Sequence, residues 1–114
     1  MDTRNKIVDS IPRDASDFKT VAGYFDPMHA GHIRRLREIS GDGERINVIV
    51  SDPPAPILPQ RARAELVAGL GCVAFVVLGG RDLPNVRNII DDRPADGDRA
   101  REFAQHVLAR HNAK

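Results

Sequence analysis

The order of secondary-structure signals constrains this chain more than any other feature of its sequence. Three short apolar segments, rich in Val, Ile and Ala, suit strands of a sheet that is covered on both faces, and they span residues 18–23, 45–51 and 74–78. Segments with helical periodicity lie between them, at residues 29–40 and 59–71. Because strands separated by helices pair in parallel through right-handed crossovers, we predict an α/β fold, a small Rossmann-like parallel sheet with helices on both faces.

The flanking segments carry weaker signals. In residues 1–17, Pro12 interrupts any helix, so a short helix or an arm is expected. Residues 79–94 predict no more than a helical turn around residues 86–90. A last helix is better defined, because its apolar residues share one face and acidic residues open it, as the helix dipole favours. Its residues include Asp96, Asp98, Ala100, Phe103, Ala104, Val107, Leu108 and His111.

Length and charge limit the functions open to the chain. With 114 residues it is expected to form one domain, residues 1–114. Its 17 basic and 16 acidic residues nearly balance, whereas a protein that wraps nucleic acid or binds membranes through basic residues carries a clear excess of positive charge. No apolar stretch has the length of a membrane helix, and the N-terminal residues lack the apolar core of a signal peptide, so we expect a cytoplasmic protein. The single cysteine, Cys72, lies in an apolar run that predicts a buried, inert thiol.

The residues with the clearest chemistry join the first predicted strand to the first predicted helix. In an open parallel sheet this junction lies beyond the carboxyl ends of the strands, where such folds bind ligands, and a helix N-terminus offers unpaired N–H groups to a phosphate. His29 and His32 fall on one helical face, so both imidazoles could point towards the same phosphate. Gly31 lacks a side chain, which lets a nucleotide approach the backbone closely. The junction reads Gly23-Tyr24-Phe25-Asp26-Pro27-Met28-His29-Ala30-Gly31-His32.

Several motifs, in order along the chain, resemble those of one family. His29-Ala30-Gly31-His32 is similar to the His-x-Gly-His signature of the nucleotidyltransferase superfamily. Residues 18–78 resemble its cytidylyltransferase-like branch, which includes glycerol-3-phosphate cytidylyltransferase and the nucleotidylyltransferase domain of ADP-heptose synthase. Val50-Ser51-Asp52 is similar to the end of the second strand in that branch. The segment from Pro59 to Ala68 is similar to its helix that opens with Pro-x-x-x-Arg-x-Glu, and Cys72-Val73-Ala74-Phe75-Val76-Val77 stands in place of Cys-Val-Asp-Tyr-Val-Val.

The resemblance implies transfer of a nucleotidyl group. An acceptor phosphate, on a sugar or a polyol, would attack the α-phosphate of CTP or ATP in line and release pyrophosphate, usually with Mg²⁺. The resemblance implies that His29 and His32 stabilise the transition state at the α-phosphate and that Arg63 contacts phosphate or the acceptor. Such a transfer needs positioning and charge neutralisation more than a protein nucleophile. The residues expected to bind the nucleotide are Gly23, Tyr24, Phe25, Asp26, His29, Gly31 and His32.

Simpler structural roles are open to the same residues. The histidines could cap or pack the start of the helix, and they could share a metal, although no further ligand stands at a suitable spacing beyond Asp26, so no metal held by the protein is expected. Asp26 is suited to accept backbone hydrogen bonds in a turn, and Arg63 could be a solvated charge on its helix. Asp52 could cap a helix or loop or contact a ribose, with the cap preferred. The pair Asp91-Asp92 is expected to be solvated.

Two departures from the family pattern favour an alternative function of another class, which is binding without catalysis. The family carries a late Ser/Thr signature that holds the triphosphate, and a lysine after the second strand that grips phosphates. This sequence has no Ser or Thr after Ser51, and Lys19, at the start of the first predicted strand, should lie away from the site. We therefore expect a domain that is shortened at its C-terminal part. The alternative is a degenerate member that binds a nucleotide or a protein partner without turnover.

Two further expectations concern the C-terminal part and the assembly. Arginines that could compensate for the missing phosphate contacts are Arg81, Arg87, Arg93 and Arg99. His106 and His111 are expected to be surface or interface residues of the last helix. The family resemblance and the small core together predict a homodimer.

Overall fold

Five parallel strands and two α-helices form the framework of the computed structural model, which describes residues 2–80 and 89–96. The helices are α1 (Ala30–Ser40) and α2 (Gln60–Ala68), and short 3-10 helices span Thr3–Lys6 and Arg13–Ala15. The order of the strands across the sheet is β1-β4-β3-β2-β5. The predicted Rossmann-like α/β class is confirmed. The strands are β1 (Ile7–Val8), β2 (Thr20–Gly23), β3 (Ile46–Val50), β4 (Val73–Leu78) and β5 (Ile89–Asp91).

One face of the sheet forms the core together with both α-helices. A single row of aliphatic side chains crosses all five strands on this face, and Leu36 and Ile39 of α1 pack into the same cluster as Ala64 and Val67 of α2. Because the crossovers from β2 to β3 and from β3 to β4 run in the same direction, a common right hand places both helices on one face. The row consists of Ile7, Val76, Val48, Val21 and Ile90.

The opposite face is buried as well. Ala22 and Ile49 are fully buried, and they point away from the aliphatic row because neighbouring strand residues alternate between faces. The side-chain amide of Asn47, on this second face, donates a 2.9 Å hydrogen bond to the carbonyl of Ala15. The 3-10 helix Arg13–Ala15 therefore lies against the second face, so both faces carry helical residues.

The flanking segments differ from the predictions. Residues 1–17 contribute an edge strand in addition to short helices, because Ile7 and Val8 pair with β4. The predicted helical turn is wrong at residues 89–90, which belong to β5 and pair with β2. Helical conformation begins again at residues 93–96, so Asp96 lies in the first turn of the predicted last helix. The other predicted residues of these two segments, 86–88 and 98–111, lie outside the described residues.

Within the part of the chain that the structure describes, neither α-helix has the length and apolar character needed to cross a membrane. Cys72 is a free, half-buried cysteine that packs against the core.

Candidate active site

The junction between β2 and α1, predicted as the centre of the site, lies at the carboxyl edge of the sheet. β2 ends at Gly23, and Phe25 adopts a left-handed φ of 51°. This turn aims the successive N–H groups of Tyr24 and Phe25 at one point, a backbone arrangement that binds anions. Both groups donate to the same oxygen, Oδ2 of Asp96, at 2.5 Å and 2.9 Å.

His29 and His32 cap α1 reciprocally. Nδ1 of His29, the N-cap residue, accepts the N–H of Gly31 at 3.1 Å, and Nδ1 of His32 accepts the N–H of His29 at 3.1 Å. A ring nitrogen that accepts a hydrogen bond carries no proton, so these bonds assign the proton of each neutral imidazole to Nε2. Capping therefore occupies Nδ1 and selects the tautomer in which Nε2 is a hydrogen-bond donor.

Asp96 completes this arrangement, and sequence analysis did not identify it as a site residue. Nε2 of His32 donates to Oδ1 of Asp96, and the two side chains are only 1% and 2% exposed. Burial of Asp96 favours the neutral acid, but the hydrogen bonds from His32, Phe25 and Tyr24 outweigh it and hold the pKa of Asp96 below its ordinary value of 3.8. The only sequence signal for Asp96 was its place as an acidic residue at the start of the last helix.

The absence of a side chain at Gly23 makes room for this carboxylate. A Cβ on Gly23 would lie 2.8 Å from Oδ2 of Asp96 and 2.8 Å from the ring of Phe25. Gly23 was predicted as a nucleotide-binding residue, and in this conformation its missing side chain lets Asp96 approach the backbone of β2.

Asp26 ties the proline-rich loop to the junction. Its carboxylate accepts the N–H groups of Ile57, at 2.7 Å, and Leu58, at 2.9 Å, and the side chain is buried. Asp26 accepts backbone hydrogen bonds, as predicted, but the donors belong to the distant proline-rich loop and not to its own turn. Its contact with a nucleotide remains a prediction.

Arg63 lies beneath the site as a fully buried cation. Nη1 donates to the carbonyls of Tyr24, at 2.8 Å, and Ser51, at 2.7 Å, and Nε donates to Leu58 at 3.0 Å. Nη2 pairs with Asp52, whose side chain is 51% exposed. The guanidinium thus joins the ends of β2 and β3 to the loop between β3 and α2. The alternative of a solvated helix charge is wrong for Arg63, because α2 turns this residue towards the sheet.

A cleft of about 450 Å³ opens at the same edge of the sheet. The side-chain amide of Gln60 donates to the carbonyls of Val50 and Gly79 at 2.9 Å and 2.8 Å, which holds the ends of β3 and β4 beside it. Among the predicted nucleotide-binding residues, Tyr24 lines the cleft. The lining residues are Tyr24, Asp52, Pro53, Pro54, Gly79, Gly80 and Arg93.

A second cleft, of about 720 Å³, lies at the amino edge and is lined by Lys19, Arg45 and Ile89 among others. We place the site at the smaller cleft, because parallel sheets bind ligands at their carboxyl edge. Lys19 lies away from it, as predicted from its position at the start of the strand.

Comparison with known proteins decides the family. A family model described as cytidylyltransferase-like matches residues 20–112, which includes β2, α1, β3, α2, β4 and β5. The chain belongs to the cytidylyltransferase-like family. The assignment suggested by the ordered motifs is thereby confirmed.

Relatives of this family member include FAD synthases and a bifunctional protein. The FAD synthase of Halorhabdus utahensis is 39% identical over 66 residues, which cover 53% of this chain and 46% of the relative. That of Halomicrobium mukohataei is 38% identical over 63 residues, 50% of this chain and 44% of the relative. The bifunctional protein HldE of Ectopseudomonas mendocina is 35% identical over 71 residues, 54% of this chain and 15% of the relative. The chain therefore matches less than half the length of these relatives.

The segment that delivers Asp96 to the site is anchored by Asp92. The carboxylate of Asp92 pairs with Arg35 of α1, at 2.9 Å and 3.3 Å, and its backbone N–H donates to Ala22 at 2.8 Å. The carbonyl of Asp92 accepts the N–H of Asp96 at 2.7 Å, which begins the helical turn. The predicted solvation is therefore wrong for Asp92, because Arg35 reaches across to it.

Asp91 is exposed, in line with its predicted solvation, and it holds Arg93 at the cleft. The side chain of Arg93 donates to both carboxylate oxygens of Asp91 at 2.9 Å. These bonds hold the pKa of the Asp91 carboxyl below its ordinary value. Of the four arginines predicted to compensate for missing phosphate contacts, Arg93 is thus at the cleft, and Arg81, Arg87 and Arg99 lie outside the described residues.

Proposed function

We propose that this chain transfers a nucleotidyl group from CTP or ATP to a sugar phosphate or a polyol phosphate and releases pyrophosphate. One observation carries the proposal: at the start of α1, on the carboxyl edge of the sheet, two imidazoles keep their protons on Nε2. The chain that holds this pair belongs to the cytidylyltransferase-like family. Two relatives are named FAD synthase. FMN, the phosphate ester that becomes FAD on receiving AMP, therefore belongs among the acceptors to be tested.

The chemistry requires positioning and charge neutralisation. An oxygen of the acceptor phosphate attacks the α-phosphorus, and the new P–O bond forms as the bond to pyrophosphate breaks, so that pyrophosphate leaves with the electron pair. In our proposal, His29 and His32 donate Nε2–H bonds to oxygens of the α-phosphate, and the N-terminal end of α1 adds its partial positive charge. This transfer needs neither a nucleophile nor a general base from the protein.

The Mg²⁺ that the family resemblance implies would enter with the triphosphate as part of the substrate. Mg²⁺ commonly binds one or two carboxylates together with phosphate oxygens. Among the described residues no group of three or more His, Cys, Asp or Glu side chains could hold a metal by itself. Asp52 fits the supporting role, because it lines the cleft with a half-exposed side chain of which Oδ1 pairs with Arg63. Both oxygens of Asp26 and both oxygens of Asp96, in contrast, accept hydrogen bonds at the junction.

Binding without turnover is a second candidate function, and specific contacts favour it. The imidazole of His32 is buried against Asp96, and the guanidinium of Arg63 is committed to three carbonyls and Asp52. Both side chains, which were predicted to contact phosphate, are thus engaged within the protein.

Pyrophosphate release distinguishes the two functions. The protein is incubated with MgCTP or MgATP and a panel of acceptors that contains glycerol 3-phosphate, several sugar phosphates and FMN. Nucleotidyl transfer predicts pyrophosphate release that depends on one acceptor. Saturable nucleotide binding without release for any pair would contradict catalysis and support the binding function, and the absence of binding as well would exclude both.

Variants of His29 separate capping from phosphate contact. His29→Asn keeps an N-cap acceptor and removes the imidazole donor, whereas His29→Ala removes both. We expect both variants to reduce turnover by about 10²-fold or more, as for the loss of a donor to the transition state, and only His29→Ala to lower stability as well. Arg34→Ala, on the exposed face of the same helix, is the control and should leave both properties unchanged. Normal turnover in His29→Asn would reject the phosphate role.

A further inference from the structure

The carboxylate of Asp96 lies in a ready-made anion site. Three N–H groups converge on it, from the backbone of Tyr24, the backbone of Phe25 and Nε2 of His32. Two of them share Oδ2, and the third binds Oδ1. The proposed function assigns His32 to the α-phosphate, and Tyr24 and Phe25 are among the residues expected to bind the nucleotide. Asp96 and a phosphate bound at this turn would therefore require the same donors.

The local structure is built around this anion. The left-handed φ of 51° at Phe25 turns two successive N–H groups to one side, a conformation that residues with a side chain adopt rarely. Gly23 leaves the space that the carboxylate fills, since a Cβ there would lie 2.8 Å from Oδ2. A buried carboxylate without such donors would be strongly unfavourable, and the site is complementary to a two-oxygen edge of a carboxylate or a phosphate.

The donors and the carboxylate belong to different parts of the fold. All three donors lie within residues 24–32, between β2 and the first turn of α1, whereas Asp96 is carried by the turn that starts at Asp92. That turn is tied to α1 through the ion pair of Asp92 with Arg35, whose side chain is partly exposed. Because the donors and Asp96 lie on separate segments, departure of the carboxylate would break the three hydrogen bonds to it and none within β2 or α1.

We propose that Asp96 is an autoinhibitory residue, an internal carboxylate that occupies the phosphate site and must leave before a nucleotide or pyrophosphate binds. The proposal rests on the proposed function only in that the ligand carries phosphate groups. When only a minor fraction of the protein is in the state that can bind the ligand, the apparent dissociation constant equals the intrinsic dissociation constant divided by that fraction. Minor states of this kind are commonly populated at about 0.1–10%, so removal of the carboxylate should tighten phosphate binding by about tenfold or more.

The test measures the affinity of the whole chain for inorganic pyrophosphate, and for MgATP and MgCTP, by isothermal titration calorimetry. Asp96→Asn and Asp96→Ala are compared with the wild type at about 0.15 M salt, where distant charges are largely screened. Asp42→Asn makes the same change in net charge at an exposed position between α1 and β3, at the opposite edge of the sheet, and serves as the control. The expected result is tightening of about tenfold or more for both Asp96 variants and less than twofold for Asp42→Asn.

A second measurement on the wild type covers the case in which the variants fail to fold. Saturating pyrophosphate should shift the amide resonances of Tyr24 and Phe25 and move the carboxyl ¹³C signal of Asp96 to the position of a solvated carboxylate. Unchanged signals at saturation, or unchanged or weaker affinity in folded Asp96 variants, would overturn the proposal.

The outcomes also separate this proposal from the proposed function. Tighter binding in the Asp96 variants without pyrophosphate release for any acceptor keeps the autoinhibitory carboxylate and rejects catalysis. Turnover by the wild type without tighter binding in the Asp96 variants keeps catalysis and rejects the autoinhibition. If neither the wild type nor the Asp96 variants bind pyrophosphate or nucleotide, both are rejected.

Discussion

Replacement of Arg63 by alanine is expected to destabilise the protein even when no ligand is present. The buried guanidinium donates to the carbonyls of Tyr24 and Ser51 at 2.8 Å and 2.7 Å, and each such bond from a charged donor contributes about 1.5–3 kcal/mol. We assign almost nothing to the pair with Asp52, because that side chain is half exposed and solvent screens it. The cost of burying the cation offsets part of the gain, so the expected loss is about 3 kcal/mol for Arg63→Ala. Arg63→Lys, which keeps the charge without the planar fork, should lose about 2 kcal/mol.

Urea unfolding followed by circular dichroism measures this loss as a change in the midpoint at constant slope. Arg61→Ala is the matched control, since Arg61 lies two residues earlier on α2, is 56% exposed and pairs with Glu65 only at 3.8 Å. Its effect should stay within about 0.5 kcal/mol. If Arg63→Ala were as stable as Arg61→Ala and bound nucleotide more weakly, Arg63 would be a ligand contact, as the family resemblance implies, and its proposed structural role would be refuted.

Three further predictions follow from the site and the core. Gly23→Ala should lower the free energy of unfolding by about 1–3 kcal/mol, because its Cβ would collide with Asp96 and Phe25. Gly71→Ala is the control and should not lower it, because a Cβ on Gly71 meets nothing within 4 Å. Equal stability of the two variants would contradict this packing. Folding lowers the pKa of Asp96, so its ionised form stabilises the native state above the ordinary pKa of 3.8, and this contribution is lost as the pH falls through the lower native value. The stability difference between the wild type and Asp96→Asn should therefore shrink from about pH 6 to about pH 2, and a constant difference would show that the carboxylate does not titrate in this way. Sedimentation equilibrium should detect the predicted homodimer, which a purely monomeric profile at high concentration would refute.

The central part of the fold could be predicted because burial there is complete. All five residues of β3 are buried, and β4 starts with buried residues, so the sequence of β4 is a continuous apolar run and that of β3 is interrupted only by Asn47. The edge strands give no such pattern. β1 has two half-buried residues, and β5 has three residues that end at the exposed Asp91. Segments this short and this exposed show no hydrophobic periodicity that would identify a strand. They are strands only because they pair with β4 and β2.

The site divides in a similar way between local and distant contacts. The loop and the histidines were predictable because they lie within ten residues of one another and because a strand that leads into a helix fixes their place at the edge of the sheet. Asp96 bonds to residues 64 to 72 positions away, and Arg63 bonds to Tyr24 across 39 positions. No periodicity or spacing reports contacts between such distant residues, so the pattern presented Asp96 only as an acidic residue that opens a helix and Arg63 only as a basic residue on a helix. The family resemblance added a contact with phosphate or the acceptor for Arg63.

Capping and phosphate contact competed as interpretations of the histidine pair, but the geometry makes them compatible. Each imidazole caps the helix through Nδ1, which accepts a backbone N–H. The proton of the ring therefore stays on Nε2, the nitrogen that would donate to a phosphate. In the structure Nε2 of His32 already donates to Asp96. In our proposal His32 therefore contributes to phosphate binding only after the carboxylate has left. The strength of that internal bond then sets both the acid stability of the fold and the affinity for the nucleotide, and a change at Asp96 should move the two in opposite directions.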